Sequence, residues 1–164
     1  MRAYLAIKYH PDNQNRELIQ NIAAGLEKSG FETLCIARDV EQWGQVHFTP
    51  AELMQRSFAE IEVSDVVVVE LTQKGVGLGI EAGYAYAKGI PIITIARKGA
   101  DISATLQGIS QKLFLYNDFD ELAQFFHQLK LEKFTTEMKH LAQEVAAAWT
   151  SPQNGVALVS DQRR

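Results

Sequence analysis

The chain is short of cysteine: Cys35 stands alone among 164 residues. No disulfide can form within it, and the strand-like setting Glu32-Thr-Leu-Cys35-Ile-Ala suits a buried structural thiol better than a reactive one. Histidine is sparse as well. His10, His47, His127 and His140 show no metal-ligand spacing and have no cysteine to join them, so neither a metal site nor a cofactor is expected. Basic charge is in deficit, with 16 Lys and Arg against 20 Asp and Glu, a net charge of −4 and a pI near 5.6. A protein that grips the backbone of a nucleic-acid polymer needs the opposite balance; a free nucleotide needs only a local cationic contact. No run approaches the roughly 18 to 20 apolar residues of a membrane span, and Met1-Arg-Ala leads straight into a strand-like segment rather than a signal peptide. A cytoplasmic protein with no membrane partner is the expectation.

What is present is ordinary globular material, 46% hydrophobic and 22% charged, enough for one core. Strand-like segments at residues 3–8, 32–36, 65–71, 91–95 and 112–116 alternate with helical ones. Residues 14–29 carry Leu18, Ile19, Ile22, Ala23 and Leu26 at helical spacing before Gly30. Thr49-Pro-Ala-Glu52 is a capping box with proline at N1, opening a helix to about Glu62. A helix over residues 81–88 ends at Gly89, and a short one spans 104–109. This alternation predicts an α/β fold with a parallel, doubly wound sheet of about five strands. From Asp118 to about Trp149 the chain reads as helical with a break near Leu131, and Phe134, Met138, Leu141, Val145 and Ala148 form its apolar stripe. This extra C-terminal helix, residues 131–150, is expected to pack on the domain of residues 1–130 or on a partner subunit, and the tail of residues 151–164 to fray.

The most informative segment is Ser64-Asp-Val-Val-Val-Val-Glu70-Leu-Thr-Gln-Lys-Gly75-Val-Gly77-Leu-Gly79-Ile-Glu81-Ala-Gly-Tyr-Ala. Its β-branched run has no alternation, as in a strand covered on both faces. Gly75, Gly77 and Gly79 read as a turn that uses positive φ to approach a ligand, with Glu81 in the first turn of the following helix. The order G-x-G-x-G on a third strand is no Rossmann fingerprint, and Lys74-Gly75 lacks the rest of a P-loop. Glu81 has two readings: a carboxylate facing the crevice at the carboxyl ends of the strands, or one that complements the helix dipole. Asp12 and Asn13, after the first strand, are either ligand contacts or turn and capping residues. Trp43, in Arg38-Asp39-Val-Glu-Gln-Trp43-Gly44, either stacks on a base or seals a hydrophobic corner. Tyr84 and Tyr86 are expected on different faces of the helix, as packing residues.

The glycine-Glu81 segment, with the early tyrosine of Arg2-Ala-Tyr4-Leu-Ala-Ile, the strand that ends at Glu70, and Lys88-Gly-Ile-Pro-Ile, resembles the nucleoside 2-deoxyribosyltransferase family and its relatives, the 2'-deoxynucleoside 5'-phosphate N-hydrolases, over roughly residues 1–127. The resemblance implies a flavodoxin-like fold and cleavage or base exchange at the N-glycosidic bond of a nucleoside or nucleotide. It makes Glu81 the nucleophile and Tyr4 the residue whose hydroxyl orients it, with substrate binding by Gly75, Gly77, Gly79, Ser103 and Thr105. Ser103 would be lent by a neighbouring subunit, which implies a homodimer or higher homo-oligomer.

Two positions depart from the family pattern. Where the transferases have an Asp and the monophosphate hydrolases a Ser, this chain has Gly75; where the family has an Asp eight residues before the Asp of the third strand, it has Ser57. Glu52, Glu60 and Asp39 are candidates to replace that Asp. A non-catalytic module for a nucleotide or ADP-ribose-like ligand, and a glycohydrolase of NAD-type substrates, are the alternatives.

Overall fold

The computed structural model describes the backbone of residues 1–150, with side chains to Glu132 and at Thr136, His140 and Gln143 beyond it. Five strands, β1 Arg2–Ile7, β2 Glu32–Leu34, β3 Val66–Glu70, β4 Ile92–Arg97 and β5 Lys112–Tyr116, form one sheet in the order β2-β1-β3-β4-β5. Every pairing is parallel. The helices are α1 Arg16–Lys28, α2 Pro50–Glu62, α3 Val76–Ala87, α4 Ala104–Ile109 and α5 Phe119–Thr150.

The central place of β3 explains its sequence. Val66 to Glu70 are all buried, because both edges of the strand are paired and both faces are covered. Alternation sends Tyr4, Ala6, Val67, Val69 and Leu71 to one face, where Ile61 of α2, Leu78, Ala82 and Ala85 of α3, and Leu106 of α4 pack on them. Val66, Val68 and Glu70 therefore point to the opposite face. There α1 buries Ile19, Ile22, Ala23 and Leu26, and Gly25 leaves room for the ring of Phe126, 3.4 Å from where a Cβ would sit. The strand order reverses its direction of growth between β1 and β3, so the carboxyl ends of these two strands part and open a crevice.

The capping box forms as read: the Thr49 hydroxyl accepts from the Glu52 backbone N–H, and the Glu52 carboxylate accepts from the Thr49 backbone N–H. Other expectations change. The second strand stops at Leu34, and residues 36–40 form a single wide turn, in which the Glu41 N–H donates to the Ile36 carbonyl over 2.9 Å and Asp39 accepts from the Cys35 N–H. Gln42 and Trp43 follow with φ of 49° and 61°, and Asn13 in the loop after β1 has φ of 62°. Each left-handed L-residue costs about 1 to 2 kcal/mol. Cys35 is buried, and burial pushes its thiol up to about 11, fitting the structural role. Tyr84 packs on Phe58, their ring centroids 4.0 Å apart, whereas Tyr86 is exposed.

The chain divides into two compact units, Met1–His127 and another from Gln128 onward. Helix α5 runs through Leu131 without the expected break. The apolar stripe read at Phe134, Met138, Leu141, Val145 and Ala148 and the tail of residues 151–164 lie outside the described side chains and residues. No described helix is long and apolar enough to cross a membrane.

Candidate functional site

Helix α3 begins five residues earlier than its glycines suggest, and this changes the setting of Glu81. Gly75 is the N-cap, with an extended φ of −154°, and Gly77 and Gly79 lie inside the helix; none of the three adopts positive φ. Leu78, Ala82 and Ala85, buried against the sheet, carry the helix through the glycines and override the turn signal. Glu81 thus falls in the second turn. The dipole reading, which needs a first-turn carboxylate, loses its basis.

Three elements converge on the Glu81 side chain. Tyr4, buried in β1, donates its hydroxyl to Glu81 Oε1 over 2.6 Å. Ser57, buried on α2, sets its hydroxyl beside both Glu81 and Tyr4. Burial raises the Glu81 carboxyl above its ordinary range, and the two hydroxyls pull it back toward ionisation. Tyr4 is held far above its ordinary value, by burial first and then by the adjacent carboxylate, so it remains a neutral donor. The result is a half-buried carboxylate with a fixed oxygen and a route to solvent.

That route is a cleft of about 340 Å³ lined by Ile7 at the end of β1 with Lys8 and Tyr9 after it, and by Gly75, Val76, Gly77, Leu78 and Glu81 on the other side. It sits where the strand order switches. A second cleft of about 300 Å³ shares Gly75 and Leu78 and adds Gly79, Lys74, Ser103 and Thr105 over a floor that includes Leu71, Leu106 and Ile109. Ser103 caps α4, and its hydroxyl lies 2.8 Å from that of Thr105. The Lys74 ammonium pairs with Asp101 at 2.6 Å, both exposed, linking the loops after β3 and β4.

The structure therefore brings Glu81, Tyr4, Gly75 and Gly77 together in one cleft and Gly75, Gly79, Ser103 and Thr105 in its neighbour. Asp12 and Asn13 line neither. The Asp12 carboxylate accepts from the Gln14 N–H over 3.2 Å, which is turn chemistry, and Asn13 Oδ1 accepts from the Tyr9 hydroxyl over 3.1 Å. The candidate substitutes for the family Asp are engaged elsewhere: Glu52 in its capping box, Glu60 with Arg2 and Asp39 with Arg38. Trp43 stands 6.5 Å from the ring of Tyr9 and under the Arg16 guanidinium, which is 4.5 Å from its centroid. Among the described residues, no cluster of His, Cys, Asp and Glu could hold a metal ion. Sequence reasoning had met Ser57 only as a departure and did not single out Lys8 or Tyr9. Their one signal was position, immediately after the first strand.

A parallel α/β sheet that opens a cleft at its switch point, with one oriented carboxylate inside, is the setting of a small-molecule site. The chain matches the nucleoside 2-deoxyribosyltransferase family over residues 3–139 and belongs to it. A protein of Thermofilum pendens named "Putative 2'-deoxynucleoside 5'-phosphate N-hydrolase 1" is 30% identical over 128 residues, 74% of this chain and 89% of the relative. Two solved structures share the fold. The CMP N-glycosidase BcmB of Clostridium botulinum has 23% identity and a TM-score of 0.54, covering 80% of this chain and 99% of its own. A 2-deoxyribosyltransferase of Bacillus psychrosaccharolyticus has 14% identity and a TM-score of 0.59, covering 75% and 90%.

Proposed function

We propose that this enzyme cleaves or exchanges the N-glycosidic bond of a nucleoside or nucleotide, the deoxy sugar included, through a covalent glycosyl ester on Glu81. One observation carries the reading: a lone cleft-lining carboxylate fixed by the Tyr4 hydroxyl at 2.6 Å, with a solvent-facing cleft beside it. As the bond to the base lengthens, the sugar gains oxocarbenium character; an anionic oxygen stabilises that charge and then captures the anomeric carbon. Tyr4 and Ser57 oppose the effect of burial on the carboxylate, and Tyr4 aims it. Water or a second base releases the sugar, so hydrolysis and transfer share the intermediate. The hydroxyls of Ser103 and Thr105, in the adjoining cleft, suit the polar end of the substrate. By the family resemblance they would be exchanged between subunits of a homo-oligomer, and light scattering at micromolar concentration should then give a dimer or larger.

The test is a panel of nucleosides, their 5'-monophosphates and NAD, with and without a second free base. A 2-fluoro sugar analogue of the best substrate should leave a sugar adduct on the peptide that contains Glu81, visible by mass spectrometry. An adduct elsewhere, or turnover by Glu81→Gln at the wild-type rate, refutes the nucleophile. Binding without cleavage in both proteins would favour a ligand-binding module.

A further inference from the structure

The cleft around Glu81 contains few groups able to give a proton to a departing base. Its lining offers only the Lys8 ammonium, the Tyr9 phenol and Glu81 itself. The Tyr4 hydroxyl donates to Glu81 itself, and Ser57 lies beside that pair, so a proton given up by either would be taken from the group that must hold the nucleophile; Glu52, Glu60 and Asp39 are bound to other partners. Resting on the reading of Glu81 as nucleophile, we infer that Tyr9 is the proton donor to the leaving base.

The surroundings of Tyr9 support this role. Its hydroxyl donates to Asn13 Oδ1 over 3.1 Å, and its ring stands 6.5 Å from Trp43 at 53°. Asn13 and Trp43 are both L-residues in the left-handed region, and they reach Tyr9 from separate loops, after β1 and β2. Asn15 ties the first loop at two points, accepting from the His10 N–H and donating to the Lys8 carbonyl. Two strained loops thus converge on one half-buried phenol that lines the same cleft as Glu81. Lys8 is held differently: its stem lies 3.8 Å from the Cβ position of Gly75, and its side chain is exposed.

The step balances as follows. A Glu81 oxygen bonds to the anomeric carbon as the bond from that carbon to the base nitrogen breaks and its electron pair passes to the base. The Tyr9 proton moves to a ring nitrogen or carbonyl oxygen of the base, which leaves neutral. The phenolate left behind receives a hydrogen bond from the Asn13 amide once that amide turns its Nδ2 inward. The water or second base that releases the sugar returns the proton to Tyr9.

The experiment compares Tyr9→Phe, Tyr9→Leu and Lys8→Met on two kinds of substrate. One is the natural-base nucleoside or 5'-monophosphate that the enzyme turns over best. The other is the matching 4-nitrophenyl 2-deoxyriboside, with or without its 5'-phosphate, whose phenolate leaves without a proton. Tyr9→Phe should lower kcat on the natural base by about 10² to 10⁴-fold while changing the nitrophenyl substrate by less than about fivefold. Tyr9→Leu should add a rise in KM. Equal losses on both substrates would mark Tyr9 as structural and overturn the assignment, as would wild-type kcat in Tyr9→Phe. A leaving-group-selective loss in Lys8→Met alone would transfer the role to Lys8. Glu81→Gln separates the two readings, because it should fail on both substrates; if it cleaves the nitrophenyl one normally, the nucleophile reading fails. A wild-type protein inert on every substrate removes both.

Discussion

Two glutamates, eleven residues apart, sit at the carboxyl end of the same sheet and do opposite things with their charge. Glu70 ends β3 on the face covered by α1, 2% exposed, and one of its oxygens accepts from the Thr72 hydroxyl, from the Thr72 N–H at 3.2 Å and from the Tyr116 hydroxyl at 3.3 Å. Thr72 in turn accepts from the Arg97 N–H over 2.9 Å, so Glu70 pins the loop after β3 to the end of β4. Glu81 lies on the other face, with hydroxyl partners and a cleft. Burial raises both carboxyls. What separates them is access: Glu70 is closed in by fixed partners, and Glu81 keeps a path to a ligand. A raised carboxyl by itself is no mark of a nucleophile.

The sharpest way to break the comparison is to remove each in turn. Glu81→Gln should cut turnover by about three orders of magnitude or more with little loss of substrate affinity. Glu70→Ala, which strands the donors of Thr72 and Tyr116, should instead lower stability by about 2 to 3 kcal/mol and leave kcat within about tenfold, read by denaturant melts and steady-state rates. Similar kinetic losses from both changes would dissolve the distinction. Next in size is Tyr4→Phe, which deletes a hydrogen bond to a charged group worth about 1.5 to 3 kcal/mol; kcat should fall about 10- to 100-fold with KM little changed.

Acidity sharpens the comparison further. A nucleophile must be ionised, so the acidic limb of kcat should lie above the ordinary carboxylate range, where burial holds Glu81. For stability the sign is the reverse. A carboxyl whose folded pKa is raised binds its proton more tightly when folded, so its contribution is present below the ordinary pKa and is lost as pH rises through the folded one. Glu81→Gln should therefore melt higher than wild type at neutral pH, and the advantage should vanish in acid. A melting temperature lower than wild type at pH 7 would contradict the burial cost. The smallest effect is expected at Gly75→Ser. Its extended φ suits any residue, and a Cβ would meet only Leu78 and Lys8 at 3.8 Å, so stability should change by less than about 0.5 kcal/mol. The added hydroxyl faces both clefts, and KM for 5'-monophosphates should fall relative to nucleosides.

Much of this arrangement was legible in the chain. The unbroken run from Val66 to Glu70, the capping box at Thr49 and the alternation of elements fixed the parallel sheet, since local pattern and burial agree there. Glu81 and Tyr4 stood out through the family pattern, and they do meet. The start of α3 was misread because glycine signals a turn locally, whereas packing of Leu78, Ala82 and Ala85 on the sheet decides the helix. Ser57 and Tyr9 were invisible as partners, because the contacts joining α2, β1 and α3 are long-range and leave no periodic trace. Asp12 and Asn13 follow the first strand, where a crevice residue could sit, but their side chains bond within their own loop.

Helix α3 has a consequence for how the enzyme would fail. It has no side-chain cap and no acidic residue in its first turn, and Gly77, Gly79 and Gly83 each weaken it by about 1 kcal/mol relative to alanine. A Cβ at any of the three would meet nothing within 4 Å, so packing does not demand them. The helix that carries Glu81 therefore owes its order almost wholly to one face. Under heat, α3 should loosen while the sheet still holds, drawing Glu81 away from Tyr4 and Ser57. Activity would then fade at a lower temperature than the far-ultraviolet signal, and a coincidence of the two midpoints would show the helix and sheet to melt as one.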